Sequence, residues 1–137
     1  PEIKEVLKGY ADLPGVRMVG FLSTPDAAYQ QADIFVFPSI EEGSALVTYE
    51  AMACGLPVVT TPNAGSLIRD GVEGFLVPIR DPDALAERME QLRADARLRQ
   101  EMGRAARMRA EEFTWERHGE RMCSTYSALP QTILRVR

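Results

Sequence analysis

The stretch IFVFPSIEEGSALVTYEAMACGLPVVT, residues 34–60, decides the fold. It opens on Ile34-Phe35-Val36-Phe37 and closes on Val58-Val59-Thr60, two short runs that are apolar on both faces and so read as central strands. Between them, from about Ser44 to Cys54, Ala45, Leu46, Tyr49, Met52 and Ala53 recur at helical spacing, and Gly55 and Pro57 end the helix. A strand, a helix and a second strand in this order make a βαβ unit with a parallel sheet.

The same alternation continues on either side. Val16-Arg17-Met18-Val19 and Gly74-Phe75-Leu76-Val77 are two further strand candidates. A short helix is expected after Thr24-Pro25-Asp26, with Thr24 as cap and Pro25 in the first helical position, and another around Ser66 to Arg69. From Asp81-Pro82-Asp83 onward the pattern turns wholly helical, with Leu85, Met89 and Leu92, then Leu98, Met102 and Ala106, on successive turns. Thr114 caps a last helix that runs to about Leu129, ahead of Pro130. The expectation is an α/β chain, residues 1–137, with a parallel Rossmann-like core over 1–80 and a helical tail over 81–137.

With 45% hydrophobic and 26% charged residues, the chain can bury a core. A net charge of -4 gives no global field to hold a nucleic acid, so no such partner is expected and an anionic ligand must be held by local geometry. Cys54 and Cys123 stand far apart without metal-ligand spacing, which reads as reduced thiols in a cytoplasmic setting with no metal. No apolar run approaches a membrane span. Because Pro1 is followed at once by a helix in progress over 2–12, the chain reads as a piece of a longer protein.

The loop after Phe37 is the place for chemistry, since ligands of open parallel sheets bind beyond the carboxyl ends of the strands. Gly43 would let a ligand approach the backbone, and free N–H groups at the following helix start would suit a phosphate oxygen. With a start at Ser44, Glu50 lies about 9 Å along that helix, within reach of a ribose whose diphosphate sits at the helix end. Glu42, at the other end, could accept from the hydroxyls of an attached sugar. Spacing alone leaves a second reading open, in which Ser39-x-x-Glu42 is a capping box and Glu50 a solvated acid beside a core stripe.

The string Pro38-Ser39-x-x-Glu42-Gly43-Ser44-x-Leu46-Val47-x-x-Glu50-Ala51-Met52-Ala53-Cys54-Gly55-Leu56-Pro57-Val58-Val59 closely resembles the E-x7-E signature of the retaining glycosyltransferases of family 4, which have the GT-B fold. The likeness extends through Asn63-Ala64-Gly65, Asp70-Gly71-x-x-Gly74-Phe75-Leu76-Val77, Met102-Gly103-x-x-Ala106-Arg107 and Phe113-x-Trp115. It implies the donor-binding C-terminal part of such an enzyme, which moves a sugar from a UDP- or GDP-sugar to a glycan or lipid-linked acceptor. By that resemblance Glu42, the residue assigned to catalysis, contacts the donor sugar, Glu50 contacts the ribose, and Gly43, Ser44, Ala45, Leu46 and Val47 hold the diphosphate. Gly20, Phe21 and Leu22 would meet the base through their backbone. No metal or other cofactor is implied, because helix dipole and basic side chains stabilise the leaving diphosphate.

Two local departures stand out: Ser44-Ala45 replaces a frequent Phe-Gly, and Ser66-Leu67-Ile68 lacks a Glu that many members carry after the preceding Gly. The resemblance further implies that the first strand, helix and second strand of the GT-B C-terminal domain, with an Arg and a Lys that neutralise the diphosphate, lie outside the chain, as does the N-terminal acceptor domain. The chain alone is therefore expected to be inactive. In the order 3-2-1-4-5-6, losing strands one and two would leave the Val16 strand displaced, paired directly with the Ile34 strand, or completed by another chain through swapping or dimerisation.

His118, the only histidine, has no nucleophile or carboxylate constellation and receives no role. Trp115 is expected to anchor the last helix against the core. Arg97, Arg99, Arg104, Arg107 and Arg109 alternate with acids and read as a solvated face, while peripheral membrane association of the parent remains a second expectation. The alternative function is a non-catalytic nucleotide-binding or scaffolding module. A dinucleotide-dependent oxidoreductase is disfavoured, since no G-x-G-x-x-G follows a strand.

Overall fold

Three apolar runs pair in the computed structural model of the chain, which describes residues 3–11 and 13–128. They are β1 (Phe35–Phe37), β2 (Val58–Thr60) and β3 (Gly74–Leu76), all parallel, in the order β1-β2-β3. The register sets Val36 opposite Val59 and Val59 opposite Phe75. Around them run α1 (Ile3–Ala11), α2 (Asp26–Gln31), α3 (Leu46–Ala53), α4 (Pro82–Ala94), α5 (Ala96–Glu111) and α6 (Trp115–Ala128). A 3-10 turn covers Pro62–Ala64.

Side chains of a strand alternate between faces, so Val58 and Val59, both fully buried, serve two cores. On one face Val58 packs with Tyr29 of α2, Ala51 and Met52 of α3, Leu56, Ile68 and Ala106. On the other, Val59 packs with Phe75, Val77, Leu92 of α4 and Met102 of α5. Each large side chain so buried contributes about 1.5–3 kcal/mol. The first two helices of the tail, α4 and α5, begin on an aspartate, Asp81 accepting from the Ala84 N–H and Asp95 from that of Leu98, each at 2.9 Å. Arg99 donates to the Leu92 carbonyl at 2.8 Å and closes the end of α4.

The join between α3 and α5 is made of backbone. A Cβ on Gly103 would overlap the carbonyl oxygen of Gly55, so the helix rests directly on the turn that ends α3. Arg107 adds a bond from its guanidinium to the Ala53 carbonyl. Below, the buried Glu73 accepts from the Arg69 backbone N–H at 2.8 Å and from its Nε at 2.9 Å. Burial alone would raise the Glu73 carboxyl, yet Arg69, with Arg109 beyond it, holds it below the usual carboxylate range.

Four expectations are corrected. Residues 16–19 form no strand: Val16, Met18 and Val19 are exposed, and no ladder joins them to β1. Direct pairing with the Ile34 strand is thereby excluded and the segment is displaced, because an alternating run becomes a strand only where another strand offers its hydrogen bonds. β1 is an edge strand of the described sheet and only half-buried, while β2 alone is central. Ser66 to Arg69 is not helical; four residues are too few to nucleate a helix, and the Arg69 N–H goes to Glu73 instead. Trp115 anchors nothing in the core, being 73% exposed. Smaller shifts place Pro25, not Thr24, at the cap position of α2. The end of the last helix at Leu129 lies outside the described residues.

Candidate functional site

The loops that leave β1 and β2 are stitched together at the carboxyl end of the sheet. Thr60 donates to the Phe37 carbonyl at 2.7 Å, and Thr61 donates to the Ser39 carbonyl. Farther along, the Glu42 N–H reaches the Asn63 carbonyl at 3.0 Å and the Ala45 N–H the Ala64 carbonyl at 3.2 Å. Gly65 adopts the left-handed conformation at φ 60°, and a Cβ there would run into the carbonyl of Gly43. Gly43 itself is under no such constraint, since its φ is negative and a Cβ would meet nothing within 4 Å.

This stitching aims the start of α3 outward. The helix begins at Leu46, two residues later than its apolar stripe suggested, with Ala45 as a cap residue that offers no side-chain bond. Ser39 donates to the Glu41 carbonyl at 3.2 Å and caps nothing, so the capping-box reading of Ser39-x-x-Glu42 does not hold. No acidic residue stands in the first turn. Among the described residues, the N–H groups of Gly43, Ser44, Leu46 and Val47 have no acceptor. Four free donors thus cluster at the positive end of the helix dipole.

Glu50 lies one turn on, about 6 Å along the axis from Leu46 rather than 9 Å. Its carboxylate is exposed, and Oε2 accepts from the hydroxyl of Tyr29 at 3.0 Å. The Tyr29 hydroxyl is pushed up to about 12, first by burial and then by that bond to Glu50. Sequence reasoning missed Tyr29, because its helix is 21 residues earlier and no spacing connects the two. Ser44 Oγ and the Tyr49 hydroxyl stand 3.3 Å apart. The side chain of Glu42 is exposed and has no hydrogen-bond partner among the described residues.

Beside α3 opens a cavity of about 350 Å³, lined by Ser44, Leu46, Tyr49 and Glu50 on one wall and by Phe113, Trp115 and His118 on the other. The structure thus brings Ser44, Leu46 and Glu50 to one volume, with Gly43, Ala45 and Val47 in the adjoining turn. Gly20, Phe21 and Leu22 do not line it; Phe21 is 94% exposed. No group of His, Cys, Asp and Glu among the described residues could hold a metal ion. No helix of the described residues is long and apolar enough to cross a membrane.

Comparison with known proteins places this geometry. Residues 1–95 match the family described as "Glycosyl transferases group 1". The chain is 45% identical over 92 residues to a D-inositol 3-phosphate glycosyltransferase of Paenarthrobacter aurescens, covering 65% of this chain and 22% of that protein. It is 40% identical over 111 residues to the putative glycosyltransferase EpsD of Bacillus subtilis, with 80% and 29% covered. Its backbone superposes on the sucrose-phosphate synthase of Thermosynechococcus elongatus with a TM-score of 0.80 at 31% identity, over 91% of this chain and 33% of that one. The Anabaena protein HepE, solved in complex with UDP-glucose, has the same fold at 23% identity, TM-score 0.80, over 93% of this chain and 36% of that one. The chain therefore spans about a fifth to a third of the length of these relatives. With its parallel sheet, its helix start facing a cleft and most of its sequence matched, the chain belongs to the group 1 glycosyl transferases, as part of the C-terminal Rossmann-like domain of the GT-B fold.

Proposed function

We propose that the chain grips the donor of a retaining glycosyltransferase that moves a sugar from a UDP- or GDP-sugar to a glycan or lipid-linked acceptor. The observation that carries this reading is the uncapped start of α3, with Glu50 one turn along and lining the same cavity. Free N–H groups of Gly43, Ser44, Leu46 and Val47, with the buried Ala45 setting the turn, suit a diphosphate. Glu50, oriented by the Tyr29 hydroxyl, suits the two vicinal hydroxyls of a ribose. Glu42, exposed and unpartnered just before the helix, takes the hydroxyls of the donor sugar near the reacting carbon and is the residue assigned to catalysis. The backbone of Gly20, Phe21 and Leu22 completes the reading as an edge contact to the base from outside the cavity lining. The grip falls within residues 1–80, and the helices α4, α5 and α6 follow it as a tail within 81–137. HepE, with UDP-glucose bound in the same fold, lends the donor class support.

Charge develops on the departing diphosphate, and among the described residues no Lys or Arg lines the cavity. Each missing oxyanion donor costs about 10²- to 10³-fold in rate. The 137-residue chain alone is accordingly inactive, and a longer cytoplasmic parent, docked peripherally at a membrane, supplies the cations and the acceptor domain. Calorimetric titration with UDP and GDP tests the grip: one of them binds, Glu50→Ala abolishes binding, and the same sample transfers no sugar. Absence of binding by both would favour a scaffolding module. Detectable transfer by the chain alone would overturn its proposed inactivity.

A further inference from the structure

A second cavity, of about 230 Å³, opens at the carboxyl end of the sheet beside α4. Apart from Arg80 and Asp81 its lining is apolar, with Pro38 and Ile40 contributed by the loop after β1 and Leu85 by α4. Asp81 is committed to the start of α4, where it accepts from the Ala84 N–H. Arg80 is uncommitted: unlike Arg69, Arg93, Arg97, Arg99, Arg107 and Arg109, it has no acidic partner among the described residues. It is also the only described residue other than glycine in the left-handed conformation, at φ 59°, which a glycine would adopt without strain. Exposed and unpaired, this side chain serves no packing or ion pair of the fold.

We propose that this cavity takes the apolar chain of a lipid phosphate, with Arg80 on the phosphate, and that the acceptor is therefore lipid-linked rather than a free glycan. The role as acceptor rests on the donor-grip reading. A glycan brings hydroxyls that need partners, and an apolar lining with one uncommitted polar side chain supplies few. A hydrocarbon chain has no such need, and a guanidinium pairs well with a phosphate. The position agrees with this role. Ile40 lines this cavity and Ser44 the one beside α3, and Glu42 stands between them in the chain, at most about 7 Å of backbone from each. Because α3 and α4 pack on opposite faces of the sheet, donor and lipid phosphate reach the Glu42 loop from opposite sides.

Hexyl phosphate, a short chain that dissolves as single molecules, probes the cavity by calorimetry on the whole chain. It is expected to bind about tenfold more tightly than butyl phosphate, because two further CH₂ groups are buried, and inorganic phosphate more weakly than either. Arg80→Gly is expected to weaken hexyl phosphate by about tenfold or more, with UDP and GDP binding unchanged. The Tm of that variant should not fall, since glycine suits the left-handed backbone at 80. Ile40→Asn, at a half-exposed position, should flatten the gain from butyl to hexyl. Affinity indifferent to chain length or to Arg80→Gly overturns the site and leaves the donor grip standing. Attachment to phosphatidylglycerol vesicles without binding of hexyl phosphate overturns it in favour of a membrane-facing surface. Hexyl phosphate held by a chain that binds neither UDP nor GDP supports the lipid-phosphate site and overturns its role as acceptor.

Discussion

Tyr29 and Glu50 show how a site residue acquires its setting from a distant helix. The phenol titrates near 10 in an unfolded chain and at about 12 here, so the folded state prefers the neutral form. The stability this contributes is complete below about pH 10 and is lost as pH climbs through the folded value. Urea midpoints measured from about pH 9 upward should fall for the unaltered chain and fall less steeply for Tyr29→Phe; equal slopes would contradict the assigned coupling. The residues flanking this pair were legible to different degrees. Glu42 and Glu50 stood out as candidates because the motif around them fixes their spacing in one segment. Tyr29 could not, since its contact depends on how α2 lies on the sheet. Trp115 was misplaced because size and apolarity argue for burial, whereas here the ring lines an open cavity.

At the scale of elements, the seat of α5 on the Gly55 turn is the tightest joint. Gly103→Ala should destabilise the fold by about 1–3 kcal/mol, because neither backbone can give way to a methyl group. Gly119→Ala in α6 serves as the counterpart: nothing lies within 4 Å, and the helix should gain up to about 1 kcal/mol. Chemical denaturation of the two variants decides the point, and equal effects would remove the claim that this joint is close-packed. The strands at 35–37, 58–60 and 74–76 were readable because short apolar runs recurring between helical segments suit a parallel sheet, the first two being apolar on both faces. The same logic failed at Val16, where a suitable local pattern met no partner. It failed also at the start of α3, where no capping side chain marks the boundary.

For the molecule as a whole, the outer edge of β1 is open among the described residues, and Leu13, Val16, Met18, Val19 and Phe21 expose apolar surface. An open edge and an apolar strip favour association with another copy. Sedimentation over a range of concentrations should show a monomer giving way to a dimer, and Val19→Lys with Phe21→Lys should shift that transition to higher concentration. A strictly monomeric chain throughout would count against it.

The pinning of residues 42–45 by the carbonyls of Asn63 and Ala64 and by the close approach of Gly65 has an evolutionary side. Backbone atoms set the position of this loop, so its exposed side chains, at Glu42 and Ser44, are free to vary without moving the donors of α3, while Ala45 is buried. Ser44 in place of a frequent Phe is one such variant. If residues 42–45 hold the donor as proposed, a lineage can revise its sugar preference by changing exposed residues here, while a side chain at Gly65 would run into the Gly43 carbonyl.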